Sequence, residues 1–140
     1  MNTKTKILTE EEILKQPESK YMDDDQLAFF KQRLINLHEA TRARIEGATE
    51  QMVSPMDFSD PSDRATSEEQ SALALRIVER EQKLLPKIQL SLERIRLSTY
   101  GYCLETGEPI GLVRLLIRPT AEYCADVKAV MEMKELQFKD

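Results

Sequence analysis

Acidic side chains are concentrated in the middle of this 140-residue chain. Residues 50–70 contain six acids and one base, Arg64. Aspartates are favoured in turns because they bond to nearby backbone donors, so an ordinary turn is one interpretation. A loop that carries no core is also free to serve binding, and both interpretations stay open. The six acids are Glu50, Asp57, Asp60, Asp63, Glu68 and Glu69.

Basic side chains predominate in the segment that follows. Residues 76–96 contain six bases and three acids, and four of the bases follow steps of four, three and four residues. On a helix this spacing forms one stripe, which suits an anionic partner. On charge pattern alone, pairing with acids of a neighbouring helix or simple solvation is favoured. The stripe consists of Arg76, Arg80, Lys83 and Lys87.

Residues for nucleophilic catalysis or a disulfide framework are scarce. The only histidine, His38, falls on an amphipathic stretch, and no nucleophile–base set is visible, so we expect a protein that is not an enzyme. Cys103 and Cys124 are too few for a disulfide framework. We expect them to be thiols in a reducing compartment.

Composition favours an elongated, helix-rich single domain. Charged residues make up 32% of the chain and aromatic residues only 6%. The net charge of −5 disfavours direct, sequence-specific DNA binding, because phosphate backbones repel acidic proteins. No apolar run predicts a membrane span, and the first residues do not resemble a signal peptide. We therefore expect a cytoplasmic protein.

Apolar periodicity predicts two long helices. The first runs from Asp24 to about Val53, and the second runs from Thr66 or Ser67 to about Leu97, continuing through Pro86 with a bend. The fold class is therefore mainly α, with an antiparallel coiled-coil hairpin that projects ~45 Å. The seam residues are Leu27, Phe30, Leu34, Leu37, Thr41, Ile45 and Ala48, then Ala74, Ile77, Leu84, Ile88, Leu92 and Ile95.

The flanking segments have weaker patterns. Thr9 and Glu12 form a capping-box pattern, which predicts a short helix to about Lys15 that docks only loosely. Residues 98–119 contain three of the four glycines and fit short strands or turns. A last helix is predicted from Thr120 to about residue 137. Its expected apolar face is Tyr123, Val127, Val130, Met131 and Met133.

The segment DPSDRA at residues 60–65 resembles the coiled-coil tip of the DksA/TraR family. The resemblance covers about residues 20–135, so the joint match is more specific than one hexapeptide. It divides the chain into an N-terminal segment, a hairpin with its tip, and a zinc-finger-like module with the last helix, at 1–23, 24–97 with the tip at about 54–66, and 98–140. Further matching residues are Tyr21, Met22, Gln26, Gly101, Cys103, Gly107, Arg114, Arg118, Cys124, Asp126 and Lys128.

The resemblance implies a monomeric transcription regulator that binds RNA polymerase and reaches through its secondary channel. Asp60, Asp63 and Ala65 would be the tip residues near the catalytic centre, where carboxylates alter the local field and a small side chain permits close approach. Such proteins change open-complex stability, often with ppGpp in the stringent response.

The resemblance also implies a ppGpp site between this protein and the polymerase rim. Basic side chains there would bind phosphate. Lys87 is the least secure member, because a bend at Pro86 would shift it. The residues carried over are Arg80, Leu84, Lys87, Arg118, Asp126 and Lys128.

The chain departs from the family at its four-cysteine zinc site. The matching positions are Cys103, Thr106, Cys124 and Val127, and structural zinc needs four ligands, so we expect no zinc. This resembles the zinc-independent branch of the family. Thr106 would form a hydrogen bond with nearby backbone, and Val127 would add apolar packing. The two cysteines are expected to be thiols, and a disulfide that forms under oxidation is the less favoured alternative. The apolar residues expected to compensate are Leu112, Leu115, Ile117, Tyr102 and Tyr123.

Two other functions remain open at this stage. A Gre-type transcript-cleavage factor also carries an acidic coiled-coil tip, although the module after the hairpin matches the DksA pattern instead. A structural coiled-coil adaptor would need no particular chemistry in the loop.

Overall fold

A computed structural model describes residues 7–52 and 61–138 of the chain. Five α-helices occur there, together with a 3-10 turn at Glu18–Lys20. The helices are α1 Glu10–Leu14, α2 Asp24–Met52, α3 Pro61–Arg96, α4 Leu112–Ile117 and α5 Ala125–Phe138. The mainly α fold with a coiled-coil hairpin is confirmed. No helix in the described part of the chain is long and apolar enough to cross a membrane.

The chain forms two compact units. One, the hairpin unit, is residues 35–89, and the other, the globular unit, consists of residues 1–34 and 90–140, of which 7–34 and 90–138 are described. Both long helices contribute residues to both units.

Two antiparallel helices of the hairpin unit meet along a narrow seam of small side chains. Ala48 of α2 packs with Ala74 and Val78 of α3, and all three are buried. Further along, Arg44 of α2 forms an ion pair with Glu81 of α3. A late residue of α2 thus meets an early residue of α3, which is the pairing expected of a hairpin.

The predicted seam is largely confirmed. Phe30, Leu34, Thr41 and Ala48 are buried on α2, and Ala74 and Ile88 are buried on α3, while the other predicted positions are half-buried. Pro86 lies inside α3, which continues to Arg96 without a break. A proline in this position removes one backbone donor, and the seam contacts on both sides hold the helix together across it.

Aromatic side chains form the centre of the globular unit. Phe30 has no exposed surface, and its ring lies 5.0 Å from that of Phe29 and 5.5 Å from that of Tyr100. The Tyr100 hydroxyl donates a hydrogen bond to Pro119 O at 2.7 Å. The Tyr21 hydroxyl donates to the Gly101 carbonyl at 2.6 Å and accepts from the backbone of residue 111. Buried hydroxyls are therefore satisfied by turns of the last third of the chain.

The N-terminal helix docks more tightly than the sequence predicted. The capping box of Thr9 and Glu12 is confirmed. Ile13 is fully buried, and Glu10 lies 3.5 Å from Arg33 of α2. The expectation of loose docking was wrong, because one deeply buried side chain and one ion pair compensate for a thin apolar content.

Three element boundaries also differ from the predictions. The second long helix begins at Pro61, about five residues early, because proline is well tolerated in a first helical turn. Residues 112–117 form helix α4 rather than a strand or turn. Helix α5 begins at Ala125 rather than at Thr120, because residues 119–124 bond to other parts of the globular unit.

Candidate functional site

The described tip residues lie at the start of α3. Asp63 is the third residue of the helix and Ala65 the fifth, and both are exposed. A carboxylate in the first turn of a helix is stabilised by the positive end of the helix dipole. Asp60, the other predicted tip carboxylate, lies outside the described residues. Asp63 therefore presents its negative charge to solvent from the first turn of a helix rather than from a loop.

The basic stripe on α3 is exposed along its whole length. Arg80 lies 3.4 Å from Glu81 on the same helix. Arg76, Lys83 and Lys87 form no ion pair with any described residue. Acids of α2 therefore do not neutralise the stripe in the described structure. Its charges are either solvated or available to an external anion.

A charged layer interrupts the apolar seam of the hairpin unit. The Glu81 side chain is 8% exposed and pairs with Arg44, whose Nη2 also donates to the Thr41 hydroxyl at 3.1 Å. Thr41 in turn donates to the Leu37 carbonyl at 2.7 Å. Buried polar groups in a seam cost stability unless they are all bonded, and this layer is fully bonded.

A groove of about 670 Å³ lies between α4 and α5 of the globular unit. Arg114 and Arg118, one turn apart, approach it from the α4 side, and Lys128 approaches it from α5. Glu132 is the acidic lining residue. Three bases around a groove of this size suit a phosphate-bearing small molecule. The apolar lining includes Ile110, Leu112, Val113, Ile117 and Ala129.

The six residues expected to bind ppGpp are distributed over both units. Arg118 and Lys128 share the groove, whereas Asp126, exposed in the first turn of α5, is not among its lining residues. The other three, Arg80, Leu84 and Lys87, belong to the hairpin unit. Sequence reasoning missed Arg114 as a groove residue. Its four-residue spacing from Arg118 was the signal that could have revealed it.

Cys103 occupies a turn that stabilises a thiolate. Its side chain is buried, in a turn that Gly107 N closes by bonding to Cys103 O at 2.8 Å. Burial raises the pKa of the thiol, but hydrogen bonds to its sulfur from the Thr106 hydroxyl and from the backbone N–H groups of Cys124, Thr106 and Glu105 outweigh this. They lower the pKa of Cys103 to about 6. Backbone donors and one hydroxyl thus surround the sulfur.

The residues at the other degenerate positions do not fit a structural zinc ion. Thr106 accepts a hydrogen bond from Glu108 N at 3.2 Å, the local backbone bond expected of it, and Val127 is half-buried with no ligand atom. No group of three or more His, Cys, Asp or Glu side chains in the described chain is placed to hold a metal. Structural zinc needs four ligands, and the four degenerate positions offer two sulfurs at most.

The apolar residues expected to compensate do so only in part. Leu115 is fully buried, and Leu112 and Tyr123 are half-buried. Ile117, however, is 81% exposed, because α4 turns this side chain away from the core. The expected apolar face of α5 was also partly wrong, since Val130 and Met133 are exposed.

Comparison with known proteins decides the family. Residues 26–95 match the family model described as the N-terminal domain of DnaK suppressor protein DksA. Residues 98–132 match the model of the prokaryotic dksA/traR C4-type zinc finger. The chain belongs to the DksA/TraR family. Within the C4-type finger of that family, this chain retains two of the four cysteines, Cys103 and Cys124.

Relatives of known name extend over nearly the whole chain. RNA polymerase-binding transcription factor DksA of Caulobacter vibrioides is 37% identical over 100% of this chain and 99% of its own length. The protein of that name from Escherichia coli K12 is 39% identical over 87% of this chain and 82% of its own. The solved structure of transcription factor DksA2 from Pseudomonas aeruginosa is 46% identical, with a TM-score of 0.78 over 91% of this chain and 98% of that one.

Proposed function

We propose that this member of the DksA/TraR family is a transcription regulator that binds bacterial RNA polymerase. The observation that carries the proposal is the likeness, over essentially its whole length, to proteins named RNA polymerase-binding transcription factor DksA. The relatives are named as transcription factors, so we propose a regulatory rather than an enzymatic role. It would act as a cytoplasmic monomer with no sequence-specific contact to DNA.

The proposed mode of action is insertion of the hairpin tip into the secondary channel of polymerase. Asp63 and Ala65 are exposed at the start of α3, so nothing in the described chain competes for them. With Asp60, they would approach the catalytic centre and change its hydrogen bonds and local field, thereby altering open-complex stability. Helix α3 begins two residues before Asp63, so Asp63 projects from its first turn.

The groove between α4 and α5 supports a role for ppGpp in this regulation. Arg118 and Lys128 lie on opposite sides of it, and guanidinium and ammonium groups both bind phosphate oxygens. Arg80, Leu84 and Lys87 of α3, and Asp126 of α5, are the other residues that the family resemblance proposes for ppGpp binding at the polymerase rim. Lys87 is exposed and has no ion pair with any described residue, so it is available for such a contact. The proposed physiological setting is the stringent response.

We further propose that the protein acts without structural zinc. Thr106 and Val127 cannot replace two cysteine ligands. The Cys103 sulfur accepts hydrogen bonds from backbone N–H groups instead. The zinc-independent branch of the family is the corresponding type.

An open-complex lifetime assay with purified polymerase tests the proposal. We expect the protein to shorten the lifetime on a ribosomal-type promoter, more strongly with ppGpp, and to an equal degree with and without a zinc chelator. An unchanged lifetime together with no binding to polymerase would reject the proposed function. Loss of the effect on chelation would reject only its zinc independence.

Substitution at the tip distinguishes the regulator from a structural adaptor. Asp63→Asn should abolish most of the lifetime effect while leaving binding to polymerase intact, because only the tip charge changes. Glu69→Gln is the matched control, since it removes another exposed carboxylate nearly two turns along the same helix. Equal activity of both variants would favour the adaptor, and strong RNA cleavage in backtracked complexes would favour a Gre-type factor.

A further inference from the structure

The segment of residues 119–124 connects α4 to α5, the two helices that line the groove. Arg118 immediately precedes it, and Lys128 follows it in the first turn of α5, where its backbone N–H bonds to the Cys124 carbonyl at 3.0 Å. Apart from a turn bond from Ala121 N to Arg118 O, its position is set by more distant parts of the globular unit. The position of this segment therefore determines where Arg118 and Lys128 lie relative to the groove.

Two arginines hold this segment from different helices. Arg94 of α3 donates through Nη2 to Glu122 Oε2 at 2.7 Å, and Arg114 of α4 donates through Nε to the Tyr123 carbonyl at 3.0 Å. The side chains of Arg94 and Glu122 are only 19% and 32% exposed. A short, partly desolvated, charge-assisted bond is stronger than an ordinary surface ion pair.

The same segment is also tied to the cysteine turn. The Leu104 backbone N–H donates to the Glu122 carbonyl at 2.9 Å, and the Cys124 N–H bonds to the Cys103 sulfur. These contacts connect the turn at residues 103–106 with the segment that carries Cys124. In a four-cysteine module, a metal ion would make that connection directly.

We propose that Arg94 and Arg114 are positioning residues that hold residues 119–124 in place without a metal ion. They clamp residues 119–124 against α3 and α4, and so keep Arg118 and Lys128 at the groove although Thr106 and Val127 cannot ligate zinc. The effect on ppGpp binding rests on the proposed function, whereas the positioning of residues 119–124 by the two arginines does not. Glu122 is the carboxylate that forms the ion pair with Arg94.

Amide hydrogen exchange on the full-length protein tests the clamp without polymerase. In Arg94→Gln, exchange at Leu104 and Lys128 should rise at least tenfold, because the Glu122 contact that orders both sides is weakened. Arg96→Gln is the matched control, since Arg96 is near the end of the same helix but pairs with the exposed Glu93. Equal exchange in the two variants would overturn the proposal.

Exchanging the charges separates this contact from general destabilisation. Arg94→Glu combined with Glu122→Arg should recover most of the protection that each single change loses, because the pair can re-form with reversed polarity. If the double variant were as unprotected as the single ones, the pairing would not be what positions the segment. Arg94→Lys should lie between the native protein and Arg94→Gln.

Restoring the family's ligands provides the decisive comparison. Thr106→Cys with Val127→Cys supplies four cysteines, so zinc added to this background should rescue the exchange defects of Arg94→Gln and Arg114→Gln. Zinc added to either arginine variant in the native background should rescue nothing. If the four-cysteine protein bound zinc but both arginine variants still exchanged faster, zinc and the arginines would not stabilise the same segment, and the proposal would be wrong.

The polymerase assay then tests the consequence for the groove. Arg94→Gln should reduce the ppGpp-dependent part of the lifetime effect several-fold and leave the ppGpp-independent part intact, with rescue by zinc in the four-cysteine background. Arg94 does not line the groove, whereas Arg114 does, so the Arg94 variant separates positioning from direct contact with the nucleotide. If the native protein had no effect on polymerase, the proposed function would be wrong. The hydrogen-exchange results would still test whether the arginines position residues 119–124.

Discussion

The two compact units of this protein are stabilised by different means. The hairpin unit has a thin seam of alanine, valine and half-buried aliphatic side chains, interrupted by a bonded charged layer at Glu81. The globular unit buries aromatic rings around Phe30 and ties its turns with hydrogen bonds from Tyr21, Tyr100 and Arg114. Large buried side chains are therefore concentrated in the globular unit, while the hairpin unit carries a row of exposed basic side chains.

The largest expected effect breaks the core of the globular unit. Phe30→Ala should lower the free energy of unfolding by about 4 kcal/mol, because it removes a fully buried ring and leaves a cavity beside Phe29 and Tyr100. Leu73→Ala is the control, since Leu73 is 52% exposed and should cost less than about 0.5 kcal/mol. Denaturant titration followed by circular dichroism measures both, and similar losses would contradict the comparison.

A smaller effect is expected in the charged layer of the hairpin unit. Arg44→Ala should cost about 1–2 kcal/mol, because the buried Glu81 carboxylate loses its main partner while Arg44 itself is half exposed. Arg44→Leu with Glu81→Leu should restore or raise stability, since apolar residues of similar size replace the pair. Arg42→Ala, an exposed arginine on α2, is the control. Thermal unfolding of the three variants tests the layer, and a double variant less stable than Arg44→Ala would contradict it.

Glycine substitutions should have opposite signs in the two units. Gly47 lies inside α2, where an added methyl group would meet no neighbouring side chain within 4 Å, so Gly47→Ala should stabilise by up to about 1 kcal/mol. Gly107 also has open space, but its φ of +75° penalises any side chain, so Gly107→Ala should destabilise by about 1–2 kcal/mol. Melting temperatures of both variants test this, and shifts in the same direction would contradict it.

A last expected effect is a pH dependence confined to the globular unit. Because the folded pKa of Cys103 is lowered from 9.0 to about 6, its thiolate adds stability that is fully present above pH 9 and is lost as pH falls towards 6. In Cys103→Ala this pH-dependent part should be absent. Thiolate absorbance and unfolding free energy measured across that range check the sign. A titration of Cys103 near pH 9 in the native protein would contradict the assignment.

Local patterns in the sequence determined much of the hairpin unit. Periodic apolar positions from Thr41 to Ala48 and from Ala74 to Ile88 specify two helices and the faces on which they meet. The acidic tip and the basic stripe were also visible, because charge and spacing along one helix need no tertiary information. The exact start of α3 was not, since proline is compatible with both a loop and a first helical turn.

The globular unit required tertiary structure. Residues 112–117 form a helix, and α5 starts only at Ala125, because Arg94, Arg114 and Leu104 bind the segment that local pattern alone would have made helical. These partners lie 9 to 28 residues away along the chain, so no short window contains both ends of a contact. The sequence alone showed that Thr106 and Val127 stand at two of the four positions where the family resemblance implies cysteine. Only the fold revealed which residues contact this segment and line the groove, because these contacts depend on distance in space rather than on order in the chain.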